Sequence, residues 1–252
     1  MFYCFGITEK GIMPHNEDAM LINRNVMNEG FSEQTIHAPF ISAVSDGVSG
    51  ERSGELASVM SLEMIRDLRY DGTVELEDKI MEIHNKLADY SRSDPETHNM
   101  QATLCGIAVD EELNVISFNV GDSRLYRFRK GKLKQITRDQ SLVQLLYDEG
   151  SITLEEKKTH VHRNIIFPVL GNLSATPKPD FIELDSIEYG DVLLLCSDGL
   201  SDYVSQLDIE EILEYAEPMK NRLGRLVSKS LEKGCKDNIT IIAMVYYEDK
   251  DI

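Results

Sequence analysis

The chain reads as an α+β protein in which two antiparallel sheets pack face to face between helices, a four-layer α-β-β-α sandwich. Three observations predict it. Strand-like apolar blocks occur at both ends of the chain. Each of two strand groups is followed by a pair of helical stretches. Short polar turns, not helical crossovers, join the strands in the middle, which is antiparallel wiring rather than βαβ wiring.

Taken in order, Asn16-Glu17-Asp18 precedes a short apolar run, Ala19 to Ile22. Phe40 to Ser45 reads as a strand that stops at Asp46-Gly47. A helix follows over Ser53 to Tyr70, with Leu56, Val59, Met60, Met64 and Leu68 on one face. A second runs from Leu76 to Tyr90, with Leu76, Ile80, Ile83, Leu87 and Tyr90 at helical spacing. Asp71-Gly72 between them is an ordinary turn.

The period then changes. Thr103 to Val109 and Val115 to Val120 form a hairpin around Asp110-Glu111-Glu112. In its second arm Ile116, Phe118 and Val120 alternate with Ser117 and Asn119, the mark of a strand with one buried face. Ser123 to Arg129 and Leu133 to Ile136 flank a Lys130-Gly131-Lys132 turn, and the four strands together read as an antiparallel meander. Arg124, Arg127 and Arg129 alternate as a solvated face. A polar helical stretch, Ser141 to Glu149, leads into an irregular region reaching Asn172, where His160 and His162 read as loop residues. Val192 to Cys196 is a continuous apolar strand. Helices over Asp208 to Ala216 and Pro218 to Lys233 follow, with Pro218 suited to a first helical position and Gly234 to the cap. Ile239 to Tyr247 closes the chain as a strand.

With 252 residues, 42% of them apolar, the chain supports a sizeable core, and a single domain over 1–252 is expected. Its 44 acidic against 26 basic residues give a net charge of −18, which argues against a nucleic-acid partner. Cys4, Cys105, Cys196 and Cys235 form no CxxC pair and read as reduced, buried thiols. The segment MFYCFGITEKG lacks the charged head and apolar run of a signal peptide. No apolar stretch approaches the ~20 residues that span a bilayer. A cytoplasmic protein without a membrane span is expected.

The informative feature is where the strands stop. Aspartates stand at Ser45-Asp46-Gly47, Gly121-Asp122-Ser123, Ser197-Asp198-Gly199 and Lys236-Asp237-Asn238, with Glu17 and Asp18 before the first apolar run. Any one Asp-Gly is a turn signal. Together, carboxylates placed where buried strands emerge converge at one edge of the core, where they would repel one another and raise their own pKa values. A divalent cation removes that penalty. Hard oxygen donors without paired His or Cys point to Mg²⁺ or Mn²⁺, and the histidines show no HExxH-like spacing for zinc. Two such ions about 3.5–4 Å apart activate a water and clamp a phosphoryl group for in-line attack. Gly47 beside Asp46 would let a backbone carbonyl approach a metal without a side chain in the way.

At these residues the sequence resembles the type 2C metal-dependent serine/threonine protein phosphatases, particularly short bacterial members. The match follows the family's order through Asn16-Glu17-Asp18-Ala19, Ser45-Asp46-Gly47-Val48-Ser49-Gly50, Gly54-Glu55-Leu56-Ala57-Ser58 and Gln101-Ala102-Thr103-Leu104. It continues through Asn119-Val120-Gly121-Asp122-Ser123-Arg124, Asp139-Gln140-Ser141-Leu142-Val143, Gly150-Ser151-Ile152-Thr153 and His160 to Asn164. Cys196-Ser197-Asp198-Gly199-Leu200-Ser201-Asp202 and Asp237-Asn238-Ile239-Thr240 complete it. The resemblance implies hydrolysis of phosphoserine and phosphothreonine esters on proteins by a metal-activated water, with two to three Mn²⁺ or Mg²⁺ ions and no phosphoenzyme. It implies that Asp46 bridges two ions, that Gly47 binds one through its carbonyl, and that Asp198 and Asp237 complete the pair, making Asp46, Asp198 and Asp237 the catalytic set. Asp122, with Asp198 and Asp202, would form a third site. Glu17 and Asp18 would lie next to the ions or act through water, and Asn238 would hold the shell. A flap-like segment is implied near 140–172, and a bacterial receptor-type Ser/Thr kinase as the opposing partner.

Two positions depart from the pattern. The arginine that grips the substrate phosphate in the family is replaced by Met13, which cannot make a bidentate charged clamp, and neither Lys10 nor His15 is assigned that role. Val48 stands where many eukaryotic members place a histidine, which bacterial relatives also lack. Met13 motivates an alternative, a catalytically weak regulatory protein that binds phosphorylated partners; the complete aspartate set favours the enzyme. An aspartyl-phosphate hydrolase would need an Asp-x-Asp loop after the first strand, and a nuclease a basic strip; neither is present.

Overall fold

A computed structural model of the chain describes residues 1–48, 52–68, 70, 76–93 and 97–247. Ser49-Gly50 of the second motif and the Asp71-Gly72 turn lie outside the described residues. The first sheet contains β1 (Phe2–Glu9), β4 (Gly30–Ile36), β8 (Arg124–Arg129), β9 (Lys132–Gln135), β11 (Val192–Cys196) and β12 (Ile239–Tyr246), in the order β4-β1-β12-β11-β8-β9. The second contains β2 (Asp18–Ile22), β3 (Asn25–Met27), β5 (Phe40–Asp46), β6 (Leu104–Val109), β7 (Val115–Val120) and β10 (Asp180–Glu183), in the order β10-β7-β6-β5-β2-β3. Every pairing between these strands is antiparallel.

Three apolar layers separate the four structural ones. Phe2, Cys4, Met20, Val44, Cys105, Leu193, Leu195, Ile242 and Met244 meet between the sheets. Outside the second sheet, α1 (Arg52–Arg66) and α2 (Leu76–Ser93) pack through Ala57, Leu62, Ile65, Ile80, Ile83 and Leu87 onto Leu21, Ala43 and Phe118. Outside the first, α6 (Gln206–Glu214) and α7 (Met219–Glu232) pack through Ile209, Leu213, Leu223 and Leu226 onto Leu194, Ile241 and Ala243. Strand β12 therefore buries one side against the other sheet and one against helices. That is why its sequence is continuously apolar rather than alternating. Cys4, Cys105, Cys196 and Cys235 are free and buried, as read from the sequence.

Several expectations are corrected. The four central strands do not form one meander: β6 and β7 belong to the second sheet, β8 and β9 to the first. The change of sheet occurs at Gly121, whose φ of +112° turns the chain sharply at Asp122. In β7, Ser117 and Asn119 are as buried as Phe118, because the side opposite the helices faces the interior and not water. Their hydrogen-bonding groups are met locally, Ser117 donating to the Ile182 carbonyl and Asn119 to those of Gly121 and Arg138. Helix α1 ends at Arg66 and turns Ala57, Ser58, Ser61, Leu62 and Ile65 inward, leaving Leu56 exposed. Small residues share that face with Leu62 and Ile65 and let the helix approach the sheet closely, so the spacing of bulky side chains alone does not mark it. Tyr90 of α2 is likewise exposed.

The region expected to be irregular up to Asn172 contains, after α3 (Leu142–Asp148), a second short helix, α4 (Leu154–Thr159). Thr153 and Glu156 start it with a reciprocal capping box. Pro218 is the cap of α7 rather than its first residue. A four-residue helix, α5 (Asp198–Ser201), follows β11 directly. The strands expected from the sequence do not include β1, β3, β4 or β10.

Candidate active site

The carboxylates meet because of register. Asp18 and Asp46 are the terminal partners where β2 and β5 run antiparallel. Asp198 follows the end of β11, Asp237 precedes β12, and β11 and β12 are neighbours. The Gly121 corner brings Asp122 to the same edge. A cleft of about 300 Å³ is lined there by Glu17, Asp46, Gly47, Asp122, Asp198, Asp202, Asp237 and Asn238, with Met13, Pro14, His15, Val48 and Ile166 on its walls. Asp18 is almost fully buried beneath it.

Close backbone contacts fix the floor. A Cβ on Gly47 would lie 2.3 Å from the Gly54 carbonyl oxygen, so the Asp46-Gly47 turn is packed directly against the start of α1. A Cβ on Gly199 would lie 1.8 Å from the Asn238 carbonyl oxygen, which joins α5 to the head of β12. Polar contacts complete the frame. The Gly47 N–H donates to the Glu17 carbonyl at 3.1 Å, and the Glu17 N–H donates to Asn238 Oδ1 at 2.8 Å. Asn238 Nδ2 donates to the carbonyls of Lys10 and His15 at 3.1 and 3.0 Å, clamping the N-terminal segment over the site.

Beneath, Ser197 Oγ donates to Asp18 Oδ2 at 2.6 Å and accepts from the Thr240 N–H at 3.1 Å. Thr103 Oγ1 accepts from the Asp46 N–H at 3.0 Å. Ser197, Thr103 and Thr240 were not singled out as site residues. Their adjacency to Asp198, Asp46 and Asp237 along chain and register was the signal available.

Electrostatics bears the imprint of this crowding. Burial first, then the neighbouring charges of Asp18, Asp198, Asp122 and Asp237, hold the Asp46 carboxyl well above the ordinary range. Asp198 is raised in the same way by burial and by Asp122, Asp237, Asp202 and Asp18. Burial, with the surrounding carboxylates, pushes both Asp18 and Asp122 up to about 7. Asp202 and Asp237 are raised mainly by burial. Asp198 Oδ1 is buried with no hydrogen-bond partner among the described residues. These oxygens are the donors that could hold hard cations. Among the described residues no three carboxylates converge closely enough to enclose a bare ion. The cleft has room for ions that retain several waters, the usual habit of Mg²⁺.

Met13 lines the cleft and is 37% exposed, and the lining contains no lysine or arginine among the described residues. Lys10 reaches the site through its carbonyl. His160 and His162 do not line the cleft, although Asn164 and Ile166 from the same segment do. The arginines of β8 are not a solvated face. Arg124 pairs with the buried Asp139, and Arg129 donates to Asp191 from Nε at 2.7 Å. The solvated-face reading failed because alternation along a strand does not reveal which carboxylates a later loop brings alongside.

Along most of its length the chain is similar to known phosphatases. The family model described as protein phosphatase 2C matches residues 29–234. The serine/threonine phosphatase Stp of Listeria monocytogenes is 31% identical over 245 residues, covering 93% of this chain and 92% of its own. A crystal structure of a serine/threonine phosphatase from Staphylococcus aureus superposes with a TM-score of 0.82 at 30% identity, covering 98% of this chain and 96% of its own. The catalytic domain of the serine/threonine protein phosphatase PstP, solved with two manganese ions, gives a TM-score of 0.79 at 28% identity, covering 98% and 100% of the two chains. With the aspartates gathered at the ends of buried strands, the chain belongs to the protein phosphatase 2C family of metal-dependent serine/threonine protein phosphatases.

Proposed function

We propose that the cleft holds two to three Mn²⁺ or Mg²⁺ ions and hydrolyses phosphoserine and phosphothreonine esters on proteins. Asp46, the Gly47 carbonyl, Asp198 and Asp237 would hold two of these ions. Asp122, with Asp198 and Asp202, would hold a third. Glu17 and Asp18 act from beside the ions or through water, and Asn238 holds Glu17 and the N-terminal segment in place. Bound there, the ions supply the activated water and neutralise the charge of the phosphoryl group. The aspartates set the position of that charge, Ser197 orients Asp18, and Met13, Val48 and Ile166 present an apolar wall to the ester side of the substrate.

The observation that carries the reading is the unpartnered, buried Asp198 Oδ1 in a cleft whose aspartate carboxyls are raised toward neutrality. Such a set is stable as charges only with cations between them. The substrates are phosphorylated proteins in the cytoplasm, including the product of a receptor-type bacterial Ser/Thr kinase. The test is hydrolysis of para-nitrophenyl phosphate and of a phosphothreonine peptide with Mn²⁺. Turnover well above that of Asp198→Ala is expected, and turnover equal to it sinks the reading.

A further inference from the structure

The carboxylate of Asp139 is not among the residues proposed to hold ions, yet it gathers donors from three parts of the fold. Arg124 on β8 donates to it from Nε at 2.8 Å and from Nη2 at 2.7 Å, a bidentate fork. Gln135 on β9 donates from Nε2 at 2.9 Å, and Lys157 on α4 from Nζ at 3.2 Å. The Asp139 side chain is 3% exposed. Burial alone would push its acid up. The charge and hydrogen bonds of Arg124, and then of Lys157, overcome burial and hold it below the ordinary carboxylate range.

Each partner reaches onward. Arg124 Nη1 donates to the Ser201 carbonyl at 3.3 Å, and Nη2 stands 3.9 Å from Asp202 Oδ1. Ser201 is the last residue of the helix that Asp198 begins. Lys157 also donates to Gln144 Oε1 on α3 at 2.5 Å. Beside Asp139, the Gln140 N–H donates to the Gly121 carbonyl and Gln140 Oε1 accepts from the Gly121 N–H, bracing the corner that carries Asp122. The space between α4, α5 and β8 is a cavity of about 260 Å³ that has Asp122 and Asp202 in common with the cleft.

We propose that Asp139 is a positioning residue that sets this side of the cleft, fixing the α5 turn through Arg124 and seating α4 through Lys157. One buried carboxylate thus holds the turn bearing Asp198 and Asp202 in register with the helix that flanks it. Its meaning for catalysis rests on the phosphatase reading; the coupling of the two elements does not. A neutral amide at this position would turn an NH₂ group toward one Arg124 donor and leave the Lys157 ammonium without its countercharge.

Hydrogen–deuterium exchange on the full chain tests it, with and without Mn²⁺. Asp139→Asn is expected to speed exchange at least about fivefold in residues 154–159 and 199–204 while leaving β6 and β12 unchanged. Lys157→Met should speed exchange in 154–159 alone, and Lys157→Arg, which can still reach both acceptors, should restore it to within about twofold of wild type. Acceleration spread evenly over all strands would mean that Asp139 merely supports the fold, and overturns the proposal. So would wild-type exchange in 154–159 for Lys157→Met, a readout that decides the matter even where Asp139→Asn fails to fold. A wild-type chain without turnover would remove the phosphatase reading and leave the exchange pattern standing.

Discussion

Asp46, like Asp198, is under strain of charge. It is half-buried, paired across the ladder with Asp18, and surrounded by Asp198, Asp122 and Asp237. Without cations, neutralising it relieves repulsion, so Asp46→Asn should abolish turnover while raising the melting temperature of the metal-free protein. The pH dependence has a definite sign. A carboxyl whose folded pKa is raised binds its proton more tightly in the folded chain than in the unfolded one. It favours the folded state at low pH, and that contribution is lost as pH climbs from the ordinary carboxylate value through about 7, the value reached by Asp18 and Asp122. Metal-free wild type should therefore lose more melting temperature between about pH 5 and about pH 8 than Asp46→Asn does, and Mn²⁺ should abolish the difference. Equal losses would contradict the repulsion. Met13 poses the complementary problem of phosphate grip, since no lysine or arginine lines the cleft among the described residues. A charge-assisted hydrogen bond contributes about 1.5–3 kcal/mol. Met13→Arg should accordingly lower KM for phosphate esters roughly tenfold. An unchanged KM would mean that another group already clamps the phosphate.

At the scale of elements, the site depends on the junction between α5 and β12. Gly199 has no room for a Cβ, because the Asn238 carbonyl occupies the place where it would go. Gly199→Ala should push Asn238 away from Glu17, cost about 1–3 kcal/mol of stability, and weaken Mn²⁺ binding measured by calorimetry. Unaltered metal affinity would separate this junction from the site. The Asp-Gly stops were legible in the sequence because each lies beside an apolar strand, a local signal. What local pattern could not convey was pairing. Strand β1 hides behind Gly6 and polar Thr8, and it gains its identity only as the partner of β12 and β4. The crossing between sheets turns on the positive φ of Gly121, which the sequence records only as another glycine before an aspartate. In α1 the buried face combines Ala57, Ser58 and Ser61 with Leu62 and Ile65, so the bulky side chains alone do not reveal its orientation. Asp139 read as part of a motif, but its partners Arg124 and Lys157 lie 15 and 18 residues away and are joined to it only by the fold.

The whole molecule adds a field that no single residue supplies. Its net charge of −18 is large enough that three divalent ions would still leave it at about −12. The lining of the cleft is acidic, and it contains no lysine or arginine among the described residues to offset the field at the mouth. A phosphorylated segment approaching this surface brings its own negative charge, so the residues flanking the phosphate decide whether encounter is steered or opposed. Phosphopeptides flanked by arginine or lysine should be turned over with the higher kcat/KM at low salt. Because such steering is screened over about 10 Å at 0.1 M salt, their kcat/KM should fall as ionic strength rises from about 0.02 to about 0.5 M. Peptides flanked by glutamate should show the opposite slope, since the same screening removes repulsion. Steady-state kinetics on a matched pair of peptides at saturating Mn²⁺ reads both slopes. If the two slopes have the same sign, recognition is set by contacts inside the cleft alone and the acidic surface takes no part in choosing the substrate.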